Sequence, residues 1–233
     1  MSSWTGFKHS RRVALIGLGL VALVSSPVDA APAADVAPAD VAPVEATAPA
    51  PSLSVVLERL AAMRGLSASF REEKHMSLLA VPIVNEGVIY FAPPDKLVRR
   101  VDKPMPSTVL ITSGRLEVAD GSGRQTIDLT TSPAVRLFVD SFVKIYAGDQ
   151  AALERMYTLA LAGAGERWTL TLRPKVAPMR DVIDRIVLDG EGLVVSSMRI
   201  EEKNGDVTVT TFRDVRPDRV FTEAELAALF RVP

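Results

Sequence analysis

Apolar residues recur at helical spacing in a few short stretches and at alternating spacing across most of the remaining chain. After Ser52, the residues Leu53, Val56, Leu57, Leu60 and Ala61 share one helical face. This predicts a helix capped by Ser52 that runs to about Arg64 and is stopped by Gly65. Alternating runs then follow at Ser67–His75, Asn85–Phe91, Leu97–Asp102, Thr108–Thr112, Leu116–Asp120 and Arg124–Leu129. The breaks between them, such as Pro93-Pro94-Asp95, Lys103-Pro104-Met105-Pro106, Ser113-Gly114 and Gly121-Ser122-Gly123, are turn chemistry. Consecutive hairpins of an antiparallel sheet are expected.

Helical spacing returns after Ser132, a candidate cap, with Pro133 suited to the first helical position. Val135, Phe138, Val139, Phe142, Val143 and Tyr146 share a face of this predicted helix over 133–147, and Leu137 and Ile145 lie off it. A helix packed one-sidedly on a sheet does not need those two. A helix lying over a cavity does, and so does an ordinary buried helix. Gly148 ends it and Asp149 can cap another through about Tyr157. Strands resume at Thr158–Ala162, Arg167–Arg173, Val182–Leu188, Leu193–Lys203 and Val207–Asp214, with Asn204-Gly205 as a type I′ hairpin signal. Thr222 and Glu225 form a capping box, with Phe221 and Leu226 as its staple, for a short last helix. A helix, a six-strand meander, two helices, a five-strand meander and a short helix are therefore predicted. A sheet of about eleven strands must curl. Left unclosed, it has a concave apolar face that the mid-chain helices are placed to cover.

The first fifty residues have another texture. Lys8, Arg11 and Arg12 precede an apolar run, Val13–Val24, and Val28-Asp29-Ala30 offers small residues for cleavage. Residues 1–30 read as a Sec-type signal peptide cut after about Ala30, which predicts a periplasmic protein. The run is shorter than the roughly 20 residues that span a bilayer. Residues 31–51 repeat Ala-Asp-Val-Ala-Pro and carry five prolines, the composition of a disordered spacer. The folded domain is expected over 52–233.

Composition narrows the chemistry. The formal net charge is −1, so no basic field is offered to nucleic acid. There is no cysteine, which excludes disulfides and thiolate chemistry, and the two histidines do not build a metal centre. Nucleophile-elbow, zinc-helix, P-loop and dinucleotide motifs are all missing. Glu72-Glu73 and Glu201-Glu202 read as solvated strand residues, because strand neighbours point to opposite faces. Arg99 and Arg100 are candidates for a rim that meets phosphate or an acidic partner. Alternatively, one of them faces solvent while the other snorkels. No catalytic residue, metal or cofactor is assigned.

Several segments, in order, resemble the periplasmic outer-membrane lipoprotein carrier family (LolA). These are Leu66-Ser67-Ala68-Ser69-Phe70-Arg71-Glu72 after a first helix, Gly87-Val88-Ile89-Tyr90-Phe91 before Pro94-Asp95-Lys96-Leu97-Val98-Arg99, Trp168-Thr169-Leu170-Thr171-Leu172-Arg173-Pro174, and Asn204-Gly205-Asp206 with Phe212. The resemblance covers essentially all of residues 52–233. It implies an unclosed antiparallel β-barrel with a helical lid over an apolar cavity for acyl chains. It further implies a monomeric shuttle whose cargo is a lipoprotein or other acylated lipid, whose donor is an inner-membrane ABC transporter, and whose acceptor is an outer-membrane receptor. In that family an arginine before the turn proline latches the lid, whereas Pro93 stands there in this chain. Candidate cavity and lid residues are Phe70, Ile89, Phe91, Leu97, Phe138, Phe142, Trp168, Leu170 and Phe212, each of which could equally belong to plain core. Two other functions are weighed: a lipid- or lipoprotein-sensing regulatory adaptor with the same pocket, and a hydrolase of hydrophobic substrates, which lacks a visible nucleophile–base pair.

Overall fold

The computed structural model describes residues 51–112 and 114–233; the side chains of Ala134, Phe138 and Phe142 lie outside that description. The expected signal peptide and all but the last residue of the expected spacer also fall outside it. In chain order the elements are α1 (Leu53–Ala61), β1 (Leu66–His75), β2 (Ile83–Ala92), β3 (Lys96–Lys103), β4 (Ser107–Thr112), β5 (Arg115–Asp120) and β6 (Gly123–Asp128). Then come α2 (Pro133–Tyr146), α3 (Gln150–Met156), β7 (Tyr157–Ala164), β8 (Arg167–Pro174), α4 (Met179–Val182), β9 (Ile183–Glu191), β10 (Val194–Glu202), β11 (Val207–Pro217) and α5 (Glu223–Leu229).

All eleven strands form one sheet in the order β6-β5-β4-β3-β2-β1-β11-β10-β9-β8-β7. Every pairing is antiparallel. Each meander is local, and the two are joined where β1 pairs with β11, with Phe70 opposite Phe212 and Glu72 opposite Thr210. Consecutive strands β6 and β7 are the two free edges, so the barrel is unclosed, and α2 and α3 connect them.

Local chemistry accounts for most element ends. The Ser52 hydroxyl accepts from the Val55 N–H at 3.3 Å, and Asp149 accepts from the Ala152 N–H at 3.0 Å. Thr222 and Glu225 complete both halves of their capping box. Gly148 takes φ +63°, the left-handed conformation that releases the chain from α2. Three details differ from expectation. Ser132 makes no side-chain cap, and α2 starts on Pro133 alone. The Asn204-Gly205 hairpin is not type I′: of its two residues only Gly205 has positive φ, and its N–H bonds to the Glu202 carbonyl at 3.0 Å. A three-residue loop with glycine in the left-handed position satisfies the strand twist equally well. A one-turn helix, α4, precedes β9 where no element was expected.

The core has two parts on the inner face and one on the outer. One inner cluster joins Val56, Leu57 and Leu60 of α1 to Trp168, Leu170 and Leu172 of β8 and to Ile145 of α2. The other joins Phe91, Leu97, Val109, Ile111 and Leu116 to Val139 of α2. Leu137 and Ile145 thus pack with one half of the sheet, and Val139 and Val143 with the other. This explains the apolar residues off the main stripe: α2 is wedged between the halves. On the outer face, Val98 and Leu110 pack with Tyr90, Phe230 and Val232. There Arg100 donates to the Leu229 carbonyl at 2.5 Å, and Arg124 donates to the carbonyls of Val232 and Pro233, pinning the C-terminal segment.

Candidate functional site

A pocket lies between α2 and the inner face of the sheet. One wall is built by Leu97, Val109 and Ile111 of β3 and β4, the opposite wall by Leu172, Ile186 and Leu188 of β8 and β9. In sheet order β4 and β9 stand six positions apart. At about 4.8 Å per strand a flat sheet would separate them by roughly 29 Å. That is more than twice the roughly 10–12 Å width of a helix. Walls that share one pocket therefore require the sheet to curl around α2, which supplies Ser141, Ile145 and Tyr146 as the roof.

The pocket volume is about 80 Å³. A second void of about 10 Å³ lies beside it, bounded by Leu66, Ala68 and Val215. Ile89, Tyr146, Val195 and Phe212 line both voids and so form the partition between them. Tyr146 stacks on Phe91 with ring centroids 4.9 Å apart. Burial pushes the Tyr146 phenol up to about 12, so it stays neutral throughout the ordinary pH range.

Of the residues singled out from the sequence, Phe70, Ile89, Leu97 and Phe212 line the main pocket. Phe91 is buried in the β2–β5 cluster. Trp168 and Leu170 are buried in the cluster under α1, and the Trp168 indole N–H donates to the Gly192 carbonyl at 3.1 Å. Phe138 and Phe142 have side chains outside the description. The arginine pair divides between the faces. Arg100 lies outside against the C-terminal segment, while Arg99 is not at a rim: it is 8% exposed and lines the pocket.

The polar side of the pocket is the feature that alternation alone did not disclose. Glu72 and Glu202 are buried rather than solvated, and their neighbours Glu73 and Glu201 are partly exposed. Alternation turns one carboxylate of each pair inward, where a cation meets it. Arg99 Nη2 donates to Glu72 Oε1 at 2.9 Å, Asn85 Nδ2 donates to the same oxygen at 2.9 Å, and the guanidinium lies 4.5 Å from the centre of the Phe70 ring. Arg99 is on β3 and Glu72 on β1. Between them the inward residue opposite Phe70 is Gly87, which puts no side chain in the way. Burial draws the Arg99 guanidinium below its ordinary value, opposed by the charge and hydrogen bond of Glu72. Thr208 and Thr210 of β11 continue this polar stripe, and Ser141 faces it from α2.

Ser141 also ties the roof to the frame. Its hydroxyl lies 2.5 Å from the Tyr157 hydroxyl and 2.8 Å from the Leu137 carbonyl, and the Tyr157 hydroxyl reaches the Met179 sulfur at 2.9 Å. Burial raises the Tyr157 phenol, and the Ser141 bond offsets part of that rise.

Lys74 Nζ reaches Glu202 Oε1 at 3.4 Å. Burial raises the Glu202 carboxyl above the usual range, opposed by Lys74 and reinforced by the Asp206 carboxylate. A carboxyl with a raised folded value makes the folded state hold more protons than the unfolded chain between the two values. Stability therefore falls as pH rises from the ordinary glutamate range toward the raised value. Glu202→Gln should abolish that fall. Thermal midpoints of the two proteins should agree best near about pH 4 and separate in favour of the glutamine variant toward neutrality. Parallel midpoints across that range would contradict the assignment.

Among the described residues, no helix is long and apolar enough to cross a membrane, and no group of three metal-binding side chains occurs. No curated protein matches the sequence. Similar solved structures include a DUF1329 family protein from Desulfovibrio piger (13% identity, 76% of this chain, 96% of that chain, TM-score 0.44). A LolA superfamily protein from Nitrosomonas europaea is similar over 75% of this chain and 99% of its own (14% identity, TM-score 0.40). The Pseudomonas aeruginosa MucA/MucB complex contains a chain similar over 75% of this one and 60% of its own (15% identity, TM-score 0.47). The sequence model of one family, described as outer membrane lipoprotein carrier protein LolA-like, matches residues 45–228. That match spans most of the chain, and the protein belongs to the LolA-like family.

Proposed function

We propose that the protein is a periplasmic carrier that binds acyl chains between α2 and the inner face of the sheet. On this reading it moves a lipoprotein or a related acylated lipid from an inner-membrane ABC transporter to an outer-membrane receptor. The observation that carries the reading is a single pocket walled by both halves of a curled sheet and roofed by one helix, with mostly apolar side chains facing it. An acyl chain gains about 0.8 kcal/mol per buried methylene, so even partial burial holds it firmly in water without covalent chemistry.

At about 80 Å³ the pocket is small for an acyl chain. Sites that bury most of a drug-sized ligand occupy about 300–1,000 Å³. Loading a chain therefore means moving α2, and with it Tyr146, whose displacement merges the two voids. The family's lid-latching arginine position holds Pro93 here, and the Ser141–Tyr157 contact is the connection suited to take its place. Tyr157→Phe removes that hydroxyl. It should lower folding stability by about 0.5–1.5 kcal/mol and speed acyl uptake, measured by stopped-flow with a fluorescent fatty acid. Unchanged uptake in a folded variant would take the latch role from this pair.

Native mass spectrometry of protein recovered from the periplasm tests the function itself. A co-purified lipoprotein or glycolipid supports carriage. A stable protein partner with an empty pocket would favour the sensing adaptor, and turnover of an ester panel would overturn both.

A further inference from the structure

The pocket is not uniformly apolar. Arg99 Nη1, Thr208 Oγ1 and Thr210 Oγ1 are buried, find no hydrogen-bond partner among the described residues, and belong to side chains that line it. Arg99 is 8% exposed, Thr208 2% and Thr210 4%. Buried polar atoms are nearly always paired, so three unpaired ones in one pocket point to a missing partner. They also stand together. Thr210 is opposite Glu72 in the sheet, Glu72 holds Arg99, and Thr208 is two residues further along the same face of β11.

We propose that these three groups form a polar anchor for uncharged oxygen acceptors, namely the ester or amide carbonyls that join acyl chains to the group carrying them. The proposal rests on the acyl-pocket reading above and adds which part of the ligand is recognised and how it is oriented. The chain runs along the apolar walls, and its linkage sits at the β3–β1–β11 stripe. Charge selects the class of acceptor. The Arg99 charge is already balanced by Glu72 at 2.9 Å, and Lys74 next to Thr208 faces Glu202 at 3.4 Å. A carboxylate or phosphate would bring an uncompensated negative charge into an apolar enclosure, whereas a carbonyl adds only an acceptor for the free N–H and O–H donors.

The test compares 1-palmitoylglycerol with 1-O-hexadecylglycerol, which differs in lacking the carbonyl, and with palmitate, by displacement of a fluorescent fatty acid from the full-length protein. The ester should bind at least tenfold tighter than the ether and tighter than palmitate. Thr210→Val should shrink the ester–ether gap to about threefold, and the volume-matched Arg99→Met/Glu72→Met pair should nearly erase it, the gap being read as the ratio of the two affinities within each variant. Equal ester and ether affinity in the wild-type protein overturns the anchor while leaving the acyl pocket standing. Stronger binding of palmitate overturns the choice of an uncharged acceptor. Failure of every probe to bind overturns the acyl-pocket reading and the anchor with it. Ester linkages occur both in acylated proteins and in free glycerolipids. A diacylglyceryl-cysteine peptide compared with diacylglycerol separates these sources: preference for the peptide names an acylated protein, equal affinity names glycerolipids generally, and both support the anchor.

Discussion

Arg99→Met should cost about 3–5 kcal/mol of folding stability, and Arg99→Met/Glu72→Met should recover most of that loss. Both side chains are about 9% exposed and their ion pair is 2.9 Å long. Removing the cation leaves a buried carboxylate at the pocket wall, still hydrogen-bonded by Asn85 but without its guanidinium partner. Removing both charges leaves an apolar wall, and such replacements are often neutral or favourable, because the attraction within a buried pair barely repays its desolvation. Urea denaturation of the two variants checks this. A single variant as stable as wild type would show that water reaches Glu72 freely. A double variant no better than the single would assign the loss to the packing of the guanidinium on Phe70, 4.5 Å away, rather than to charge. The comparison also bears on function, because the double variant keeps the pocket while erasing one side of its polar stripe.

How much of this was legible beforehand depends on how far each feature reaches along the chain. The order of helices and strands was legible, since turns, caps and alternation are local signals. So was the phase of β1: Phe70 is inward, and Glu72, two residues on, must be inward as well. Reading Glu72-Glu73 as solvated overlooked that consequence, and what no local signal carries is the partner. The partner that makes burial of Glu72 tolerable is Arg99, 27 residues away and two strands over, brought within reach across Gly87. Thr208 and Thr210 show the same limit. Their alternation with Phe212 sets their face, but their place beside Glu72 and Lys74 exists only because β11 pairs with β1 across the whole chain. The turn at Asn204-Gly205 was legible as a turn but not as a type, because a glycine in the left-handed position serves either the two-residue or the three-residue loop. Trp168, Leu170 and Leu172 lie on the same face of β8, yet only Leu172 lines the pocket. The difference comes from where α1 and α2 rest on the sheet, which periodicity does not encode.

Leu188→Trp should cut acyl affinity by at least tenfold, about 1.4 kcal/mol, while leaving the sheet folded. Leu188 lies on β9 between Leu170 and Met198 and is one of the walls of the main pocket. An indole in its place grows into the space of about 80 Å³ that the chain would need first. Filling an existing void differs from forcing atoms into a packed core. The latter costs about 1–3 kcal/mol, and the void here should hold the cost at or below the bottom of that range. The variant thus separates two meanings of an apolar interior. If the pocket is the acyl site, binding of a fluorescent fatty acid falls steeply while the urea midpoint barely moves. If the void is incidental, the midpoint again barely moves and ligand binding, wherever it occurs, is unchanged. Measuring both on one sample makes the outcome decisive, and a folded Leu188→Trp protein that binds as well as wild type would move the acyl site away from the space between α2 and the sheet.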